Sequence, residues 1–215
     1  MGATALALAA GALALAVSLS PDRVGQSNWQ KTFDATNGPH VAVFAFPGVD
    51  LKPLADLPGL TAASGPFTGV DTSLRHHGRE VGLRLEERPR AAAVVDRPLV
   101  VAGRWVRPGT VVLERSTAGV LGVSVGDTVT AATARGRIRL TVGGIAGAAV
   151  RSRNSGAGAG LGYVLPGTLA RVGPAATRSS TMLLRLAEPG RAGSYLDWIR
   201  RRYPGRQVAV EEPSP

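Results

Sequence analysis

Three groups of residues in this 215-residue chain have types and spacings that could do chemistry. The first, Gly122-Val123-Ser124-Val125-Gly126, is a literal G-x-S-x-G, the turn on which α/β-hydrolases mount a nucleophilic serine. That elbow needs a strand before the serine, a helix after it and a histidine later in the chain. Here the pattern predicts a short helical stretch before Ser124 and an alternating strand, Thr128 to Ala134, after it. His40, His76 and His77 all precede the serine. The residues therefore read as a helix-to-strand turn in which Gly126 takes a positive φ and Asp127 caps the turn. The second group is His76-His77-Gly78-Arg79-Glu80. Adjacent side chains of an extended segment point to opposite faces, so two imidazoles would diverge, and Asp71 would be needed to complete even a weak metal site. An exposed loop fits these residues better. The third is Gly156-Ala157-Gly158-Ala159-Gly160-Leu161-Gly162, which fails G-x-G-x-x-G at Leu161 and is followed by no acidic residue until Glu188. It reads as a flexible Gly/Ala linker. No G-x-x-x-x-G-K-[ST] occurs, so an ATP-driven process served by this chain would need its ATPase elsewhere. No catalytic, metal-binding or cofactor-binding residue is assigned.

The absence of cysteine excludes disulfide scaffolds, thiolate-ligated metals and thiol catalysis. With 44% hydrophobic and 19% charged residues the chain is too apolar for wholesale disorder, and its apolar mass is Ala, Val and Leu rather than aromatic rings. The net charge of +10 is carried almost wholly by arginine, since Lys31 and Lys52 are the only lysines. This bias reads as base composition first and anion recognition second. One local pattern stands out: Thr128 to Ala187 holds eight arginines and no Asp or Glu. Arg137 and Arg139 share one strand face while Ile138, Leu140 and Val142 take the other. Together with Arg151 and Arg153 they are candidates for contact with an anionic surface such as lipid headgroups, an envelope polymer or an acidic partner. A solvated strand face is the competing reading.

The elements that would position these residues follow from hydropathy. Met1 to Pro21 has no charged residue and is apolar from Ala3 to Leu19, which predicts a partial transmembrane helix over residues 1–20. A signal peptide would want a basic residue before the apolar run, but the first cation is Arg23, so cleavage near Ala16 to Ser20 is the lesser alternative. Trp29 and Phe33 are spaced as one face of a short helix near the bilayer. His40 to Phe46 predicts a strand covered on both faces, and Asp50 an N-cap for a helix carrying Leu51, Leu54 and Ala55. Glu80 to Glu86 alternates, with Val81, Leu83 and Leu85 inward and Glu80, Arg84 and Glu86 outward. Near the C-terminus, Thr181 to Leu186 is a strand, Ala192, Leu196, Ile199 and Tyr203 mark one helical face, and Gln207 to Glu211 closes a second β-α-β half. The middle reads as all-β, with strands Trp105 to Leu113, Thr128 to Ala134 and Arg137 to Ile145 and a tight turn at Gly136. The fold class is α+β: a porter-like α/β lobe built from residues 21–102 and 163–215, interrupted by a β-rich lobe at 103–147 and a linker at 148–162.

Within the middle stretch, Gly103-Arg104-Trp105, Pro108-Gly109 and Val111-Val112-Leu113 lead to Leu121-Gly122-Val123-Ser124-Val125-Gly126-Asp127-Thr128-Val129 and then to Leu140-Thr141-Val142-Gly143-Gly144-Ile145. In order and spacing, over about 45 residues, this resembles the extracytoplasmic core domain of FtsX/MacB-type ABC transporter permeases. The flanks Gly38 to Phe46 and Tyr163 to Val164 agree more loosely. The resemblance implies a membrane-attached, non-catalytic domain outside the cytoplasm that relays ATP-driven motion of transmembrane helices. It also implies a cytoplasmic ABC ATPase and the membrane as partners, a homodimer of permeases, and no nucleic acid. The chain lacks the family's remaining transmembrane helices and coupling regions. A single-anchor module that binds the cell envelope through the basic lobe is the competing function.

Overall fold

The computed structural model describes residues 29–133, 136–149, 160–172, 178–205 and 207–213. Residues 29–35 are helical (α1). The strands that follow are β1 (Val41–Ala45), β2 (Leu60–His76), β3 (Arg79–Glu87), β4 (Leu99–Gly103) and β5 (Thr110–Glu114). After helix α2 (Arg115–Leu121) come β6 (Thr128–Thr133), β7 (Gly136–Gly147), β8 (Gly160–Val164) and β9 (Ser179–Leu186). Helix α3 (Ala192–Arg202) and β10 (Val208–Glu211) complete the order. This is a mixed α+β chain with a large sheet and few helices.

Four strands form a split β-α-β unit. Their order is β10-β1-β9-β2 and every neighbouring pair is antiparallel, so β1 and β2 run parallel with β9 between them. The apolar run of β1 is covered on both faces. Val41, Val43 and Ala45 join Leu51, Leu54, Leu184, Leu196 and Ile199 beneath α3, while Ala42 meets Phe67, Val95 and Leu183 on the other side. Burying a leucine or isoleucine side chain is worth about 1.5 to 3 kcal/mol, and the spacing of Ala192, Leu196 and Ile199 delivers two of these and a methyl from one helical face.

From β2 the sheet continues without a break through β3, β8, β5, β7 and β4, with β6 bridging β2 and β7. A second core lies under this half. It combines Val70 and Leu74 of β2, Leu83 and Leu85 of β3, Leu113, the inward side of α2, Val129, Leu140, Val142 and Val164. The β-rich half thus draws its core from β2, β3 and β8 as well as from residues 103–147.

Several expected elements differ. The helix expected after Asp50 is a single 3-10 turn, Lys52–Asp56, although the Asp50 carboxylate does accept the Lys52 N–H at 2.9 Å. Trp105 to Arg107 lies outside any strand, because Pro108-Gly109 turns the chain before β5 begins at Thr110. Gly160-Leu161-Gly162, expected in the linker, is strand β8, whose five residues are all buried. It pairs parallel with β3 and antiparallel with β5. The glycines there serve close packing: a Cβ on Gly160 would stand 2.8 Å from the Leu83 Cβ. Trp29 and Phe33 do share one face, with ring centroids 4.9 Å apart, but Phe33 is buried against the domain and Trp29 Nε1 donates to the Ala149 carbonyl at 3.4 Å. The expected membrane helix lies outside the described residues, among which no helix is long and apolar enough to cross a membrane.

Candidate functional site

The three motif fragments of the middle stretch meet in space. Helix α2 ends at Gly122, whose N–H returns to Ala118 and Gly119 and whose φ is +67°. In the turn that follows, the Asp127 carboxylate accepts the Ser124 N–H at 2.8 Å and Gly126 has a φ of +100°. Gly126 N–H then donates to the Val142 carbonyl at 2.8 Å, Val142 N–H to Asp127 at 2.8 Å, and Arg104 N–H to Gly143 at 2.9 Å. These residues satisfy one another's backbone groups at the junction of α2, β6 and β7. Ser124 is exposed, preceded by a helix and followed by a strand. His76 instead lies within hydrogen-bond reach of the Thr128 carbonyl, with its Nδ1 at 2.9 Å, and packs edge-on against His77. No metal-holding cluster occurs among the described residues.

Arg137 and Arg139 stand exposed on β7, while Leu140 and Val142 are buried and Ile138 packs against the core. Arg151 and Arg153 lie outside the described residues. The register brings together what the linear sequence separates. Arg139 sits opposite Thr130, Thr130 opposite Arg75, and Arg75 opposite Glu80. Glu80 forms an ion pair with Arg75 and accepts from Ser73 Oγ at 2.6 Å. The Ser73 hydroxyl and Arg75 hold its carboxyl below the ordinary range, with Arg137 adding to the effect. An acid from β3 therefore partly neutralises a face that reads as purely basic along β6 and β7.

The buried charged residues lie elsewhere, on β3 and in the segment after it, and this overturns the expectation that Arg84 and Glu86 point to solvent. Arg84, Glu86, Arg88 and Asp96 are exposed by only 4%, 3%, 2% and 0%. Arg88 donates from Nε to Glu86 at 2.6 Å and from Nη2 to Asp96 at 3.0 Å, and its guanidinium lies 3.8 Å above the Phe67 ring. Arg84 approaches Glu86 at 3.6 Å and donates to Ser179 Oγ and Thr181 Oγ1 of β9. Two cations and two carboxylates thus form a neutral chain from β9 through β3 to the segment at residues 94–97. That segment is held by Val95 N–H to Ser64 Oγ at 2.9 Å, Asp96 N–H to the Asn37 carbonyl at 3.0 Å and Arg97 N–H to Thr36 at 2.8 Å.

Burial works against charge on Arg88, yet Glu86 and Asp96 together hold its pKa above the ordinary value. Burial raises the Asp96 carboxyl, with Arg88 opposing, and raises the fully buried Tyr163 phenol well above its ordinary value. The cluster offers no water access and no activated nucleophile. What it can do is fasten three segments of the sheet together, since removing one member would strand a buried charge.

The sequence held one signal of this cluster. Arg84-x-Glu86-x-Arg88 places alternating charges on one strand face, a self-compensating pattern that hydropathy alone reads as solvent-facing.

The solved structures similar to this chain include the following two. The extracellular domain of the noncanonic ABC-type transporter YknZ from Gram-positive bacteria is 13% identical with a TM-score of 0.45, covering 80% of this chain and 98% of that one. The periplasmic region of MacB from Actinobacillus actinomycetemcomitans is 11% identical with a TM-score of 0.45, covering 86% and 94%. No protein-family model matches the chain, and no curated protein matches it.

Proposed function

We propose that this chain is the extracytoplasmic domain of an ABC transporter permease of the FtsX/MacB type. It has no catalytic role and passes ATP-driven motion of transmembrane helices to a substrate or partner outside the membrane. The observation that carries this reading is the pairing of β1 with β10. Ala42 stands opposite Glu211, so the chain enters and leaves the split β-α-β unit side by side, at the same end of two paired strands. A domain suspended between two membrane helices needs this geometry, because motion of the helices then acts on one end of the unit. The motif resemblance across residues 103–145 supports the same reading. In it, residues 1–20 form part of a membrane helix, the residues after about 21 lie outside the cytoplasm, the split β-α-β unit is the porter-like lobe, and the β-rich half is inserted into it. A cytoplasmic ATPase and a second copy of the permease are its partners.

The test uses the chain joined to its transmembrane helices and expressed with the ATPase. Protease added to intact spheroplasts should digest the domain, and distances between spin labels on α3 and on β7 should change during ATP turnover. Protection until lysis would refute the location. Equal distances with a hydrolysis-deficient ATPase would refute the relay and favour an envelope-binding module.

A further inference from the structure

Strand β4 ends one side of the sheet. Its inner edge pairs with β7, and among the described residues no strand pairs with its outer edge. Proteins usually blunt such an edge with lysine, proline or inward-pointing charge. The five residues of β4, LVVAG, have neither charge nor proline, and all but Val100 are exposed, with only an irregularity between Val100 and Ala102 to interrupt the pairing. Leu99 is 49% exposed, Val101 44%, and Val94 just before the strand 64%. Beside Val100 a cavity of about 230 Å³ opens between Arg90, Ala92, Arg97 and Trp105. The run Ala91-Ala92-Ala93 leaves it unfilled. Its wall is fixed, because Trp105 Nε1 donates to the Pro89 carbonyl at 3.0 Å and the indole packs 5.3 Å from the Tyr163 ring. Around this apolar strip Arg90, Arg97, Arg104 and Arg107 are exposed. The one acid between Pro89 and Gly109 is Asp96, which is buried and already held by Arg88.

We propose that β4 and the cavity beside it form a docking site for an extended acidic segment of a partner protein. The segment adds to the sheet as a strand, places a bulky apolar side chain in the cavity, and sets carboxylates against Arg90, Arg97 and Arg104. A free edge offers N–H and C=O groups at a strand's spacing, which a peptide backbone matches and a lipid headgroup or polyphosphate does not. Among the described residues these arginines have no ion-pair partner, and they select for acid. They also disfavour a second copy, because antiparallel pairing of two β4 edges would bring the arginines of one copy, Arg97 and Arg104, against those of the other.

The probe is an end-blocked fluorescein-labelled peptide, Glu-Asp-Val-Phe-Val-Asp-Glu, titrated into the full chain in a mild non-ionic detergent. Binding should slow amide exchange across Leu99–Gly103. It should weaken about tenfold or more when lysines replace the acids, and vanish when alternate backbone nitrogens are methylated. The double variant Arg97→Glu, Arg104→Glu should reverse the preference and bind the lysine peptide better, while circular dichroism confirms that it is folded. Equal binding of both peptides, indifference to N-methylation, or protection elsewhere on the chain would overturn the proposal. So would displacement of the peptide by phosphatidylglycerol vesicles without protection of β4, or a dimer of the free chain that Val101→Lys dissociates.

Discussion

Arg88 is the residue on which the buried cluster turns, since it pairs with both Glu86 and Asp96. Arg88→Met preserves much of the side-chain length over Phe67 but leaves two carboxylates in the core, which should cost about 3 to 5 kcal/mol in chemical denaturation. A cost below about 1 kcal/mol would mean that the pairs behave as surface ones do. His40 provides a pH dependence. The Leu186 N–H donates to its Nδ1 at 3.0 Å, which requires that nitrogen to be unprotonated. Burial first and Arg185 second lower its pKa from the ordinary 6.5, with Glu212 opposing. The folded state therefore favours the neutral ring, so this contribution is fully present above pH 6.5 and is lost as pH falls through the lower folded value. Thermal stability should drop on acidification from neutral, and His40→Gln should remove that part of the drop. An NMR titration placing His40 at or above its ordinary value would contradict this. At Gly126 nothing lies near where a Cβ would be, so only the φ of +100° resists substitution. Gly126→Val should cost about 1 to 3 kcal/mol, read as a lowered melting temperature.

Among the elements, β8 carries the sharpest contrast between composition and place. Its Gly-Leu-Gly start has the chemistry of a linker, yet it lies between β3 and β5 with every residue buried. Its amides, above all those of Leu161 to Val164, should exchange with deuterium among the slowest in the chain, and those of edge strand β4 among the fastest. Loop-like exchange across β8 would restore the linker reading. β1 and β9 were legible as apolar runs and α3 as a helical period, and each signal matches how the element is buried. β3 was half legible: Leu83 and Leu85 face the core as alternation says, but the opposite face is also covered, by β9 hydroxyls and the 94–97 segment. Alternation distinguishes two faces of a strand without saying that the polar one is wet.

At the scale of the whole molecule, the two largest apolar cores among the described residues hang from one continuous sheet, with β2 reaching from one to the other. They should therefore unfold together. Leu184→Ala, in the core under α3, should cost about 2 to 5 kcal/mol, and fluorotryptophan NMR should show Trp105 and Trp198 losing their native signals at the same lowered denaturant concentration. Separate transitions would make the halves independent domains. The amino-acid sequence by itself determined the strands and the helix whose apolar residues repeat at their own period, the turn of Ser124 to Asp127, and the lack of thiol or P-loop chemistry. All of these depend on residues close together along the chain. Tertiary structure alone decided that Glu80 sits among arginines, that Arg84 and Glu86 are buried, that a glycine-rich segment is a core strand, and that apolar β4 is left at an edge. Each of these depends on which distant strand lies alongside, and strand register sums many weak contacts between residues far apart in sequence.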